Sequence, residues 1–241
     1  MRLIHMHDDA GEGPRRLAAG VRGSLAAHRL TPGAVASGTP GAETAVLVWE
    51  GDARWHDEAG AQPLGPGDGM FAAAPGGRWR VTAGPAGAML LLVRGGETAP
   101  GPVDPVAPAG RFTLNARPHR DALTGFDGFV DMGVRWLVTA ATLGARSLVV
   151  ATSTFTPGGS HDLHRHPSAD EYFLVLSGDG EHLTESGPVP VGPGDLVYVP
   201  AGEWHGYRTS PGVITHTVYG YLGAGDLDTA GYQLMSRKAN A

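Results

Sequence analysis

The sequence contains no cysteine. That removes disulfides, thiolate nucleophiles and every cysteine-based zinc or iron–sulfur site from consideration, and leaves imidazole and carboxylate as the available metal donors. No run of basic residues occurs, and the formal charge is −6. A surface for nucleic acid or anionic lipid is therefore not expected. Long apolar stretches are missing too. The opening "MRLIHMHDDAGEGPRR" holds no signal-like apolar segment, and nothing approaches the ~20 residues of a membrane span. A cytoplasmic protein without nucleic-acid or membrane partners is expected. Helical periodicity is scarce as well: "RRLAAGVRGSLAAHRL" and the terminal "DLDTAGYQLMSRK" are the two candidate helices.

What is abundant is glycine (38) and proline (19) among 241 residues. Between them lie short segments rich in Val, Leu and aromatics, such as "AVLVW", "AMLLLV", "EYFLVLSG" and "GDLVYVP". Such segments, bounded by turn residues, read as strands. The stretch "GGETAPGPVDPVAPAG" separates two halves, giving a division into residues 1–95, a linker at 96–110, and residues 111–241. The halves echo each other in order: "TPGA" at 31–34 with "TPGG" at 156–159, "EGD" at 50–52 with "SGD" at 177–179, "GPGD" at 65–68 and 192–195, and "PGGRWR" at 75–80 with "PAGEWH" at 200–205. A common order of several echoes indicates an internal duplication. The expected class is all-β, two barrels or sandwiches in tandem.

The second half concentrates histidine. In "HDLHRHPSADEYFLVLSG" (161–178), His164 and His166 share a strand face, and Glu171 re-enters a strand just after the "PSAD" bend. His205 follows a Pro-x-Gly turn. Three imidazoles and one carboxylate leave one or two positions open on a divalent ion, as catalytic sites do. By strict alternation His161 faces away from His164. The same alternation sends Phe173 and Val175 inward with Glu171, and Tyr207 inward with His205, outlining a pocket for a small molecule. Tyr207 and His216 are the candidate acid–base residues, with Tyr219 a further orienting group. His28, His56, His119 and His182 are read as surface residues, and His5-Met6-His7 as a fraying terminus.

These residues resemble the cupin superfamily. Gly158, His164-x-His166, Glu171 and Gly178 fit its first motif, and Gly194, Pro200-x-Gly202 and His205 its second; Thr209 stands where the family usually has asparagine. The resemblance implies tandem double-stranded β-helix (jelly-roll) barrels, a bicupin with one mononuclear metal at His164, His166, Glu171 and His205. Fe(II) or Mn(II) is favoured over Ni, Cu or Zn. The first half lacks histidines between its echoes and has Arg80 where the second has His205, so it looks like a degenerate cupin, with Arg78 and Arg80 on its surface. The resemblance further implies an enzyme acting on a small organic substrate. Dioxygenase-type oxidation by O₂ ranks first, then non-redox isomerase, cyclase, lyase or hydrolase chemistry, then ligand binding without catalysis. Exposed barrel edges suggest a homodimer.

Overall fold

The structure, a computed structural model, describes residues 1–7, 13–38, 41–57, 60–73, 79–96, 109–115 and 127–235. Arg78, His119 and most of the Pro-rich linker lie outside these residues. In chain order the strands are β1 (Arg2–His5), β2 (Gly13–Gly20), β3 (Gly23–Leu30), β4 (Val35–Gly38), β5 (Thr44–Asp57), β6 (Gly60–Leu64), β7 (Asp68–Ala72), β8 (Trp79–Gly95) and β9 (Gly110–Thr113). They continue with β10 (Phe129–Val138), β11 (Val150–Arg165), β12 (Asp170–Ser177), β13 (Gly180–Thr184), β14 (Gly187–Val191), β15 (Asp195–Val199), β16 (His205–Thr209), β17 (Thr215–Leu222) and β18 (Gln233–Leu234). Two single-turn helices, α1 (Ala140–Leu143) and α2 (Leu227–Ala230), complete the elements of the described residues. No described helix is long and apolar enough to cross a membrane.

The strands form two curled antiparallel sheets, giving the tandem jelly-roll barrels that the sequence suggests. One runs β2-β3-β8-β5-β7-β9, with β4 on β8 and β6 on β5. The other runs β1-β15-β12-β17-β11-β16-β13-β14, with β10 and β18 on β11. The duplication is visible in the turns. In each "GPGD" the Asp carboxylate accepts from the first Gly N–H, Gly65 to Asp68 at 3.1 Å and Gly192 to Asp195 at 2.9 Å. The glycines that the echoes align also share a left-handed backbone: Gly33 and Gly158, Gly51 and Gly178, Gly67 and Gly194. A side chain is strained there, which explains why these glycines recur in both halves.

The sheets do not divide where the sequence suggests. β1 from the start of the chain pairs with β15 of the second sheet, and β9, from residues 110–113, pairs with β7 of the first. Each half thus lends the other an edge strand. The segment "HMH" is accordingly held in place: Met6 is fully buried, and His5 pairs with Asp195 at 2.6 Å. The helix expected over "RRLAAGVRGSLAAHRL" is instead the β2–β3 hairpin, with Gly20 opposite Gly23. Burial in β3 alternates, hiding Leu25 and Ala27, and two glycines three apart make a hairpin turn rather than a helix. In the other expected helix, only Leu227–Ala230 is helical before β18 begins.

One apolar cluster spans both barrels, joining Leu25, Leu47, Leu91 and Phe112 to Val150, Leu174, Leu196 and Val218. The first barrel's interior is a second cluster, in which Trp55 and Trp79 stack with centroids 5.5 Å apart. The second barrel's interior is a third, and it holds the histidines.

Candidate metal centre

β11 carries His164 almost to its end and His166 one residue beyond it. β12 carries Glu171 in its second position, and β16 begins with His205, directly opposite His164. All four are buried, and one donor atom from each lies within 4.8 Å of the others. Each imidazole is oriented by its remote nitrogen. Nδ1–H of His164 donates to the Asp162 carbonyl (2.8 Å), that of His166 to Gly231 (2.5 Å), and that of His205 to Glu203 (2.9 Å). A carbonyl only accepts, so the proton sits on Nδ1 and the Nε2 lone pairs are free.

Those three Nε2 atoms are buried without a hydrogen-bond partner. Glu171 Oε2 lies 3.1 Å from that of His166 and 3.3 Å from that of His205. Burial pulls His164 well below its ordinary value, which keeps its Nε2 lone pair available. Orphaned buried lone pairs converging on a carboxylate fit a divalent ion and are hard to explain without one.

The cavity beside these residues is walled by Phe129, Trp136, Phe155, Phe173, Tyr219 and Tyr232. It is narrow, with about 20 Å³ open to the centre of a water molecule, so a substrate is admitted only as the surrounding rings shift. None of its lining residues is Lys or Arg.

Phe173 therefore lies where expected. Val175 and Tyr207 face inward but sit deeper, in the packed interior, and neither lines the cavity. Tyr207 packs between Phe155 and Phe173, with centroids at 4.6 and 4.9 Å. His216 is outside the barrel altogether, exposed, with Nδ1 3.0 Å from the Thr154 hydroxyl. Alternation along β17 turns Thr215, Thr217, Tyr219 and Tyr221 inward and His216 outward, so His216 and Tyr219 cannot serve one site.

Two histidines passed over in the sequence belong to the interior. His161 lines the cavity, its ring stacked on His164 with centroids 3.6 Å apart. Alternation fails between them because β11 is bulged: His161 faces Tyr207 and His164 faces His205, three residues against two. His182, on β13, is buried with both ring nitrogens unpartnered, and its ring lies parallel to that of His205 at 6.0 Å. Burial pulls its pKa down to about 3. Its inward face is readable only once β13 is paired with β16, where His182 faces Tyr207.

Residues 151–213 match the family model of the cupin domain. That match lies within the second barrel; over the first barrel the likeness is one of fold alone. A cupin 2 conserved barrel domain protein from Leptotrichia buccalis superposes with a TM-score of 0.67 at 15% identity, covering 92% of this chain and 96% of that one. Oxalate decarboxylase from Bacillus subtilis gives 0.63 at 16% identity, covering 97% and 79%. In sequence, the dimethylsulfoniopropionate lyase DddQ of Ruegeria pomeroyi is 36% identical over 88 residues, which make up 36% of this chain and 42% of that protein. Less than half of that relative is therefore matched by this chain.

Proposed function

We propose that this protein is a metal-dependent lyase that cleaves a small carboxylate bearing an onium group, by elimination rather than oxidation. The observation that carries the reading is the character of the cavity: aromatic walls, an adjoining cluster of metal donors, and no Lys or Arg. A dianion such as oxalate would find only the metal to neutralise it. A zwitterion with one carboxylate and one sulfonium or ammonium centre suits both ends, the carboxylate at the metal and the cation against the ring faces. The likeness to a dimethylsulfoniopropionate lyase supports the same substrate class.

His164, His166, Glu171 and His205 would hold the ion. When bound, it supplies a Lewis acid that anchors the carboxylate and makes the adjacent C–H more acidic. The chain's own residues must then take the proton. The Tyr232 hydroxyl donates to the Asp127 carbonyl at 2.7 Å, so its oxygen accepts from His161 Nε2 at 3.2 Å. That leaves Nδ1 as the unprotonated nitrogen of His161. Burial keeps this imidazole neutral at physiological pH. His161 Nδ1 accepts the α proton, the C–H electron pair becomes the C=C bond, and the Cβ–S bond breaks with its pair leaving on a neutral sulfide. The closely packed aromatic walls exclude water from the cation while it reacts.

The test is turnover of dimethylsulfoniopropionate by protein loaded with Mn(II), Fe(II) or Zn(II), under argon and under air, following dimethyl sulfide and acrylate. Equal rates in both atmospheres support the proposal. A requirement for O₂ would replace it with the oxidative reading. Turnover of oxalate and not of the sulfonium would overturn the substrate class.

A further inference from the structure

The first barrel holds no metal-ligand cluster among its described residues, yet the tip of its β2–β3 hairpin reaches the turn between two of the proposed ligands. We infer that Arg22, in the first barrel, is a positioning residue for the metal centre in the second. Its Nε–H donates to the Ser168 carbonyl at 3.1 Å, and its guanidinium lies 3.6 Å from the Asp170 carboxylate. Ser168 and Asp170 stand between His166 and Glu171, so both contacts fall inside the stretch that sets the separation of those two side chains.

The surroundings leave the hairpin tip little freedom. The Arg22 stem lies against Gly223, where an added Cβ would meet its Cβ, Cγ and Cδ at 2.9–3.0 Å. The Arg22 carbonyl accepts from the Gly96 N–H at 2.9 Å. A Cβ at Gly20 would sit 3.1 Å from the Tyr198 hydroxyl and 3.3 Å from an Asp170 oxygen. Glycine at 20 and 223 thus lets the hairpin close onto the second barrel. Asp170 is itself buried and further fixed by the Tyr198 hydroxyl (2.8 Å) and the Ala201 N–H (2.9 Å). Ala201 opens the turn that leads to His205, so the carboxylate facing Arg22 ties the two ligand-bearing segments together.

Without the guanidinium, Asp170 keeps two donors but loses its cation, and the Ser168 carbonyl loses its donor. The 167–170 turn is then free to relax, and His166 and Glu171 with it. A first barrel without a ligand cluster among its described residues thereby acquires a role: it clamps its neighbour's metal loop.

This inference rests on the metal-centre reading, and the experiment separates the two. Co(II) is titrated into chelator-stripped full-length protein, following its visible d–d absorption, for the native chain, R22M, R22K and the double variant H164A/H166A. R22M keeps the packed stem and removes the donors. The expected result is roughly tenfold weaker Co(II) binding with altered band shape in R22M, and recovery of most of the affinity in R22K. The double variant should show no bound-Co(II) spectrum. A native chain that binds no Co(II), or a double variant that binds it normally, would refute the metal centre itself. If both behave as expected, the role of Arg22 fails when R22M binds Co(II) within twofold of native with the same spectrum. It fails equally if R22M lowers only the melting temperature of the metal-free protein. Should R22M not fold, D170N removes the same ion pair from the other side and is read by the same two measurements.

Discussion

At the scale of single residues, the account divides the five histidines of the second interior into ligands, a base and a spectator. His161 is the base, so H161N should lower kcat by about 10²–10⁴ while leaving metal content unchanged. Loss of metal in that variant would make His161 a ligand instead. Neither ring nitrogen of His182 has a hydrogen-bond partner, and the ring is neutral in the fold. Its folded pKa, about 3, lies below the ordinary value of 6.5. Below pH 6.5 the unfolded chain therefore binds a proton that the folded chain refuses, and stability falls continuously as the pH drops towards 3. H182L, compared with the native chain as metal-free protein, should be as stable or more so at pH 7.5. Its advantage should widen by on the order of 2 kcal/mol by pH 5. A constant difference across that range in denaturant unfolding would contradict the burial assigned to His182. His164, His166 and Glu171 were legible because their spacing is local, and His205 because the Pro-x-Gly turn before it marks it. His161 and His182 were not, since a bulge in β11 and a pairing between distant strands decide where they point.

At the scale of elements, the strands and repeated turns could be read directly, because Gly and Pro punctuate apolar runs of strand length. Strand partnership could not. Nothing local in "RLIH" says that it will pair with β15, and nothing in "GRFT" assigns it to β7. The hairpin mistaken for a helix shows the same limit from another side. Its alanine-rich composition favours a helix intrinsically, and the alternating burial of β3 against β8 overrides that preference. Contacts between elements also include a buried carboxylate clasp. Glu43, just before β5, accepts from the backbone N–H groups of Arg146 (2.9 Å) and Ser147 (2.7 Å) and from the Ser147 hydroxyl (2.7 Å). E43A would leave the two buried Ser147 donors unpaired. It should cost about 3 kcal/mol in chemical unfolding, with metal content unchanged. A cost below about 0.5 kcal/mol would mean that water reaches this junction.

At the scale of the molecule, exchanged edge strands and a shared apolar cluster make the two barrels one cooperative structure. β1 covers the β15 edge from within the same chain, the cover that the sequence sought partly in a second copy. Expressing residues 1–100 and 106–241 separately should give fragments that are insoluble or lack a cooperative melt. The second fragment loses β1 and Arg22 and exposes Val150, Leu174 and Val218. A soluble, monomeric, cooperatively melting 106–241 fragment would show that the first barrel is dispensable to folding. The two barrels nevertheless differ in what fills them, a tryptophan pair in one and three imidazoles with a carboxylate in the other. The central claim is that this second interior holds one ion, and elemental mass spectrometry of the purified protein tests it most directly. One divalent transition metal per native chain and none in H164A/H166A is the predicted result. Two per native chain, none, or metal retained by the double variant would contradict it.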